Sequence, residues 1–236
     1  MMGRGTWASL ALFMLGIAVV AGFYFEQTTR ITSVEFSGHT YTPLEELENA
    51  MLSPVGLMAD SVDYEAIYRS VSELPYVKDV AVRMSYRGKL TVDVEERTPI
   101  GLLAGPRTVY FDQAGIQLPP VSGKLVDVPI VYGFQDTVPG DTISGDGFDQ
   151  VLDFMKEATN DPFSWATLSE VAWSKDEGVV ALSNENGVKL LFGRDRFDQK
   201  IEHWKAFYQL VVSHRGIDSF RSIDLRFRNQ IVTDEL

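Results

Sequence analysis

Apolar and polar side chains alternate most regularly between residues 74 and 99, LPYVKDVAVRMSYRGKLTVDVEERTP. Val80, Val82 and Met84 fall on one side and Ala81 and Arg83 on the other, while Leu90, Val92 and Val94 alternate with Thr91, Asp93 and Glu95. A repeat of two marks half-buried strands, so the spacing predicts a hairpin that turns at Arg87-Gly88. Upstream, Ile31 to Gly38 (ITSVEFSG) reads as a short strand ending in glycine. Thr42-Pro43-Leu44-Glu45 fits a capping box with proline at the first helical position, which predicts a helix to about Met51, broken by Ser53-Pro54 and Gly56. A second helix is expected from Ser61 or Asp63, with Tyr64, Ile67, Tyr68, Val71 and Leu74 on one face and Pro75 as its stop. The order strand, helix, helix, strand, strand describes an α+β unit whose two amphipathic helices cover one face of a three-stranded sheet.

The second half of the chain is richer in strand patterns. Thr108 to Phe111 is a strand followed by an Asp112-Gln113-Ala114-Gly115 turn, and Val128 to Phe134 is another apolar run. After a polar loop from Gln135 to Gly147, Phe148, Val151, Leu152 and Met155 are spaced for a short helix. Glu170 to Ser174, Val179 to Ser183 and Val188 to Phe192 form a predicted antiparallel meander. Asp195 is placed to cap a long helix on which Phe197, Ile201, Trp204, Tyr208 and Val211 share a face, with Gly216 as its end. The last predicted strand, Ser222 to Val232, sets Ile223, Leu225 and Phe227 against Asp224, Arg226 and Arg228.

The N-terminus is of a different kind. Thr6 to Phe25 is 20 residues without a charge, long enough at about 1.5 Å per residue to cross a hydrocarbon layer of about 30 Å. Arg4 precedes it, and Trp7 and Phe23-Tyr24-Phe25 stand where interfacial aromatic residues would anchor it, so residues 1–5 are expected in the cytoplasm and the bulk of the chain outside. The competing reading is a signal peptide cleaved after Val19-Val20-Ala21, which would release a soluble periplasmic adaptor beginning at Gly22.

Charge and composition then narrow the chemistry. With 21 Lys+Arg against 33 Asp+Glu the net charge is −12, which opposes binding to a phosphate backbone and argues against nucleic acid as a partner. The chain has no cysteine, which excludes disulfides, thiolate zinc sites and thiol nucleophiles. His39, His203 and His214 lie in no metal-ligand or catalytic spacing, and neither a nucleophile elbow nor a phosphate-binding loop is present. Glu45-Glu46 with Glu48 and Glu95-Glu96 read as solvated faces, and Asp112 as turn chemistry. No enzyme and no cofactor are therefore expected. A terminal strand carrying Arg226 and Arg228 in an acidic protein instead suggests docking by β-augmentation with an acidic segment; the alternative is an internal strand, or an edge protected by its charges.

The order of elements over residues 31–98 resembles a POTRA domain. Leu74-Pro75-Tyr76-Val77 and Glu96-Arg97-Thr98-Pro99, at the two ends of the hairpin, are similar to strings of the FtsQ/DivIB family of bacterial cell-division proteins. The likeness covers nearly the whole chain, with Tyr86-Arg87-Gly88 at the turn as a departure. It implies a cytoplasmic tail (1–5), a transmembrane helix (6–25), a POTRA domain (31–98, β-α-α-β-β) and a mainly antiparallel β domain with two helices (99–236), in the inner membrane at the division septum. It further implies a non-enzymatic scaffold that links a coiled-coil subcomplex of FtsB/DivIC-like and FtsL-like partners to the septal peptidoglycan synthase. Asp224-Leu225-Arg226-Phe227 matches the family's terminal strand and Gly193-Arg194 the pair before its long helix, which makes Arg194, Arg226 and Phe227, with Asp224 and Arg228 beside them, the implied partner contacts. For Arg194 an ion pair with Asp195 or Asp198 is the structural alternative. A POTRA-bearing transport or assembly adaptor is the other functional class, although the residues beyond 98 are too few and too helical for a following barrel.

Overall fold

A computed structural model describes residues 12–20, 29–85, 87–121, 123–134 and 140–236. The chain divides into two compact units, Met1–Arg97 and Thr98–Leu236. Residues 12–20 are helical (α1), with Leu12, Phe13, Met14, Leu15, Ile17, Val19 and Val20 exposed. No described helix is long and apolar enough to cross a membrane; the remainder of the expected span, 6–11 and 21–25, lies outside the described residues, as does Tyr86 of the hairpin turn.

The first unit runs β1 (Ser33–Ser37), α2 (Leu44–Ala50), a 3-10 turn (Ala59–Ser61), α3 (Tyr64–Ser72), β2 (Val77–Met84) and β3 (Lys89–Glu96). Its sheet has the order β1-β3-β2, with β1 parallel and β2 antiparallel to β3. The alternation noted in the sequence has its cause in this position. As the central strand, β3 buries Leu90, Val92 and Val94 against Leu47 of α2 and Ile67 and Val71 of α3, while Val77 and Val80 of β2 complete the core.

Helix starts are where sequence and structure part. Of the two starts expected for the second helix the structure takes the later, with Asp63 as the N-cap of α3 and its Oδ1 accepting the Ala66 N–H at 2.9 Å. The capping box at α2 does not form: Pro43 occupies the N-cap position without a side-chain cap, and Thr42 Oγ1 is buried with no hydrogen-bond partner. A residue remote in sequence organises this entry instead. The carboxylate of Glu96, at the end of β3, accepts the backbone N–H groups of Thr40 (2.5 Å), Tyr41 (2.7 Å) and Thr42 (2.7 Å). Glu95 beside it makes only an exposed pair with Lys78. The solvated reading thus suits Glu95 and is corrected for Glu96. The strings at the two ends of the hairpin also meet, because Tyr76 stacks on Tyr41 at 5.3 Å and its carbonyl oxygen accepts the Arg97 N–H at 2.7 Å.

The second unit is a nine-stranded mixed sheet in the order β12-β11-β10-β9-β8-β7-β4-β5-β6. In chain order these strands are β4 (Pro99–Leu103), β5 (Val109–Asp112), β6 (Gln117–Leu118), β7 (Ile130–Tyr132), β8 (Leu168–Ser174), β9 (Gly178–Ser183), β10 (Lys189–Gly193), β11 (Phe220–Asp224) and β12 (Val232–Glu235). The helices are α4 (Phe148–Asn160), α5 (Pro162–Thr167), α6 (Phe197–Phe207) and α7 (Ser213–Arg215), the last two joined by a π turn at Tyr208–Val212. The expected meander is β8-β9-β10. β4/β7, β7/β8 and β10/β11 pair in parallel, so the sheet is mixed, and α5 adds to the two expected helices.

Trp204 anchors the helical layer, fully buried with its Nε1 donating to Thr167 Oγ1 at 2.9 Å. Phe154 of α4 packs between Phe192 of β10 and Phe197 of α6. Asp112 makes the expected turn, Oδ1 accepting the N–H groups of Ala114 and Ile116.

Hydrogen bonds to a charged acceptor contribute about 1.5–3 kcal/mol apiece and are not additive. Glu96→Ala is therefore expected to destabilise the first unit by about 2–3 kcal/mol in denaturant titration, and Glu95→Ala by less than about 0.5 kcal/mol.

Candidate partner-docking edge

The terminal strand expected over Ser222 to Val232 is corrected by the structure. β11 stops at Asp224 and lies between β10 and β12, so it is internal and has no free edge. The cause is local polar chemistry. Asp224 is only 8% exposed, and its Oδ1 accepts the backbone N–H of Arg226 at 3.0 Å, an Asx-type turn that takes the chain out of the sheet. The side chain of Arg226 follows, with Nε to Oδ1 at 2.9 Å and Nη2 to Oδ2 at 2.6 Å. Leu225 remains on the sheet, fully buried with its N–H on the Leu191 carbonyl at 2.9 Å. Phe227 does not share its face and is 45% exposed.

Around this turn the charges are ordered. Gly193, at φ 77°, ends β10 where a Cβ would lie 3.1 Å from Arg226 Cγ and 3.4 Å from Lys200 Nζ. Lys200, on α6, is 4% exposed. Its Nζ donates to the Asp195 carbonyl oxygen (2.6 Å) and carboxylate (3.0 Å). Asp195 therefore holds Lys200 rather than capping α6, whose N-cap is Arg196 in the left-handed region at φ 50°. Burial pushes the Asp224 carboxyl up, but the hydrogen bonds and charge of Arg226, with the charge of Lys200, outweigh it and hold the group below its ordinary 3.8.

Arg194 has neither of the carboxylate partners considered for it. Its guanidinium donates to the Lys175 carbonyl oxygen in the β8–β9 turn and lies 5.9 Å from the Trp173 ring centroid. Arg226 thus lies against Gly193, while Arg194, next to it in the chain, reaches the β8–β9 turn. Arg228 lines a groove of about 590 Å³ together with Arg196, Asp198, Glu202 and His203. Among the described residues, no group of three or more His, Cys, Asp or Glu side chains could hold a metal ion.

Periodicity missed β4, β6 and α5 as well as β12, and of these β12 bears on docking. It pairs antiparallel with β11 and forms the outer edge of the sheet. The N–H of Leu236 points inward to the Ser219 carbonyl oxygen, so alternation along the strand turns the N–H and C=O groups of Thr233 and Glu235 outward. The opposite edge, β6, is covered: Gln117 exchanges backbone hydrogen bonds with Gly140 and Asp141. VTDE has one apolar residue in four and no strand periodicity. Its acidic side chains pair with Arg221 and Arg215, a signal visible only after the fold is known.

Because its folded pKa is depressed, Asp224 contributes stability that is complete above 3.8 and is lost as pH falls through the folded value. Asp224→Asn is expected to destabilise the second unit by about 2 kcal/mol at pH 7. In acid titration followed by circular dichroism it should also shrink the stability lost as pH falls below 3.8.

Comparison with known proteins agrees with this architecture. A family model described as POTRA domain, FtsQ-type, matches residues 29–97, and one described as FtsQ/DivIB, C-terminal related, matches residues 98–234. Among curated relatives, the cell division protein FtsQ of Rhodothermus marinus is 29% identical over 96% of this chain and 86% of the relative. That of Salinibacter ruber is 22% identical over 96% and 91%, and that of Geobacter sp. strain M21 is 24% identical over 74% and 65%. With an FtsQ-type POTRA domain followed by a C-terminal domain of matching kind, the chain belongs to the FtsQ/DivIB family.

Proposed function

We propose that this protein is a non-enzymatic scaffold of bacterial cell division, anchored in the inner membrane by residues 6–25 with its N-terminus in the cytoplasm and both folded units in the periplasm at the septum. It docks the extracytoplasmic segment of an FtsB/DivIC-like coiled-coil partner, itself paired with an FtsL-like protein, and so links that subcomplex to septal peptidoglycan synthesis. The cell-division role is supported by the FtsQ relatives along almost the full length of the chain.

The observation that carries the docking mode is the open β12 edge beside a basic turn. An incoming strand would take the outward N–H and C=O groups of Thr233 and Glu235. Arg226 commits Nε and Nη2 to Asp224 and keeps further donors on the other side of its guanidinium fork for a partner carboxylate. Phe227 offers the adjoining apolar contact, Arg194 and Arg228 extend the basic strip, and Asp224 positions Arg226. This assignment moves the augmented strand from the segment around Arg226 to β12 and leaves the charged contacts where the family resemblance put them.

Thr233→Pro removes an outward donor while sparing the inward ones of the same strand, a substitution that edge strands tolerate. In calorimetric titration of the full chain in nanodiscs with the partner's extracytoplasmic segment, affinity is expected to fall at least about tenfold, about 1.4 kcal/mol. Thr233→Val, which keeps the donor, should bind as wild type, and both variants should unfold at the wild-type midpoint. Wild-type affinity in Thr233→Pro would place docking elsewhere than β12.

A further inference from the structure

The connector between α2 and α3 is unusual for a surface loop. From Asn49 to Ala59 no residue carries a charge, and Glu48 and Asp60 bracket the run. Connectors normally lie in water and are polar, yet here Leu52 is 94% exposed, and Val55 and Leu57 are exposed with it. The connector is firmly held. Gly56 N–H donates to the Ile31 carbonyl oxygen (2.8 Å), Ile31 N–H to that of Leu57 (3.0 Å) and Ala59 N–H to that of Thr29 (2.9 Å). Arg30 forms a bridge with Met58, and its Nη1 donates to the Gly56 carbonyl oxygen at 3.0 Å. Pro54 and Ala59 are buried beneath. The outcome is an apolar ridge, tied by its backbone to residues 29–31 and flanked by a groove of about 240 Å³ lined by Met51, Pro54, Val62 and Ile67 among others.

Residues 29–31 are also the first described residues after the uncharged stretch Thr6–Phe25. Phe25 and Thr29 are separated by four peptide units, which even a fully extended chain spans in about 14 Å at most. With residues 6–25 in the bilayer, the base of the connector is therefore held within about 14 Å of the hydrocarbon boundary, next to a headgroup layer about 5–8 Å deep. We infer that the α2–α3 connector is a membrane-surface anchor: Leu52, Val55 and Leu57 enter the headgroup–acyl boundary of the bilayer that holds residues 6–25, with Arg30 at the level of the phosphates. This inference rests on the membrane-anchored reading of those residues. A lipid surface fits the ridge better than a protein partner does. Ser53 is the one polar side chain between Met51 and Ala59, whereas protein interfaces carry roughly one hydrogen bond per 100–200 Å². Lipid tails ask only that apolar area leave water, and the ridge itself carries no charge to meet anionic headgroups, with Glu48, Asp60 and the groove-lining Asp63 at its margins.

The absence of cysteine allows single-site labelling of the full chain. Leu52→Cys, Leu15→Cys and Asp176→Cys, each carrying an environment-sensitive fluorophore, are reconstituted in phosphatidylethanolamine–phosphatidylglycerol vesicles containing lipids spin-labelled either near the headgroup or deep in the acyl chain. The Leu52→Cys probe is expected to show a blue shift and preferential quenching by the shallow label. The Leu15→Cys probe should be quenched by the deep label, and the Asp176→Cys probe, on the β8–β9 turn, by neither. Deep quenching at position 15 with no lipid quenching at position 52 overturns the connector inference and leaves the span standing. A blue shift at position 52 without lipid quenching shows a second copy or a protein partner covering the ridge, and overturns it too. If the position 15 probe escapes the deep label, the membrane span fails and the inference falls with it.

Discussion

The free edge at β12 depends on one buried carboxylate. Asp224 closes β11 by taking the backbone N–H two residues ahead and then the guanidinium of the same residue. A side chain unable to do this would leave the pattern Ile223, Leu225, Phe227 free to continue along β10, and the following residues could not turn back as β12. An Asp at the end of a buried strand is costly unless its oxygens are engaged. Arg226 meets that requirement on the spot, and Lys200 adds positive charge from the helical layer. One interaction thus ends a strand, makes the next strand the edge and sets an arginine beside it.

Space for this cluster comes from backbone rather than from side chains. Gly193 brings β10 against Arg226 and Lys200, and a Cβ on Gly178 would lie 2.3 Å from the Gly193 carbonyl oxygen. Two glycines at positive φ face each other where the sheet bulges between Leu191 and Gly193. The Gly-Arg pair before α6 reflects this close approach. Arg194 then leaves the strand toward Lys175 and Trp173, away from the carboxylates nearest to it in sequence.

The first unit solves a similar problem by the same means. Glu96, at the end of β3, gathers three successive N–H groups of the turn between β1 and α2, as Asp224 gathers the N–H after β11. In both cases a carboxylate at a strand end fixes the direction of a segment that has no regular hydrogen bonds of its own. The two differ in reach: Asp224 acts two residues away, Glu96 across more than fifty.

That difference in reach separates what the sequence by itself determined from what only the tertiary structure decided. Periodicity and turn residues settle elements whose causes lie within a few positions: the β2–β3 hairpin, the Asp63 cap of α3, the Asp112 turn, the β8-β9-β10 meander and the apolar face of α6. The quoted strings at the hairpin ends were sufficient to identify the family. Invisible in the sequence were the contacts that local spacing cannot encode. Thr42 carries good cap chemistry, yet Glu96, more than fifty residues on, takes its backbone N–H while its Oγ1 goes unbonded; Asp195 likewise does not cap, its carboxylate being held by the buried Lys200 five residues on. Short strands such as β6 and β12 lack alternation because they are held by backbone bonds to neighbours, not by an apolar face of their own. Which strand is internal and which is the edge depends on pairing between segments far apart in the chain, and the free edge therefore emerged only when the sheet was assembled.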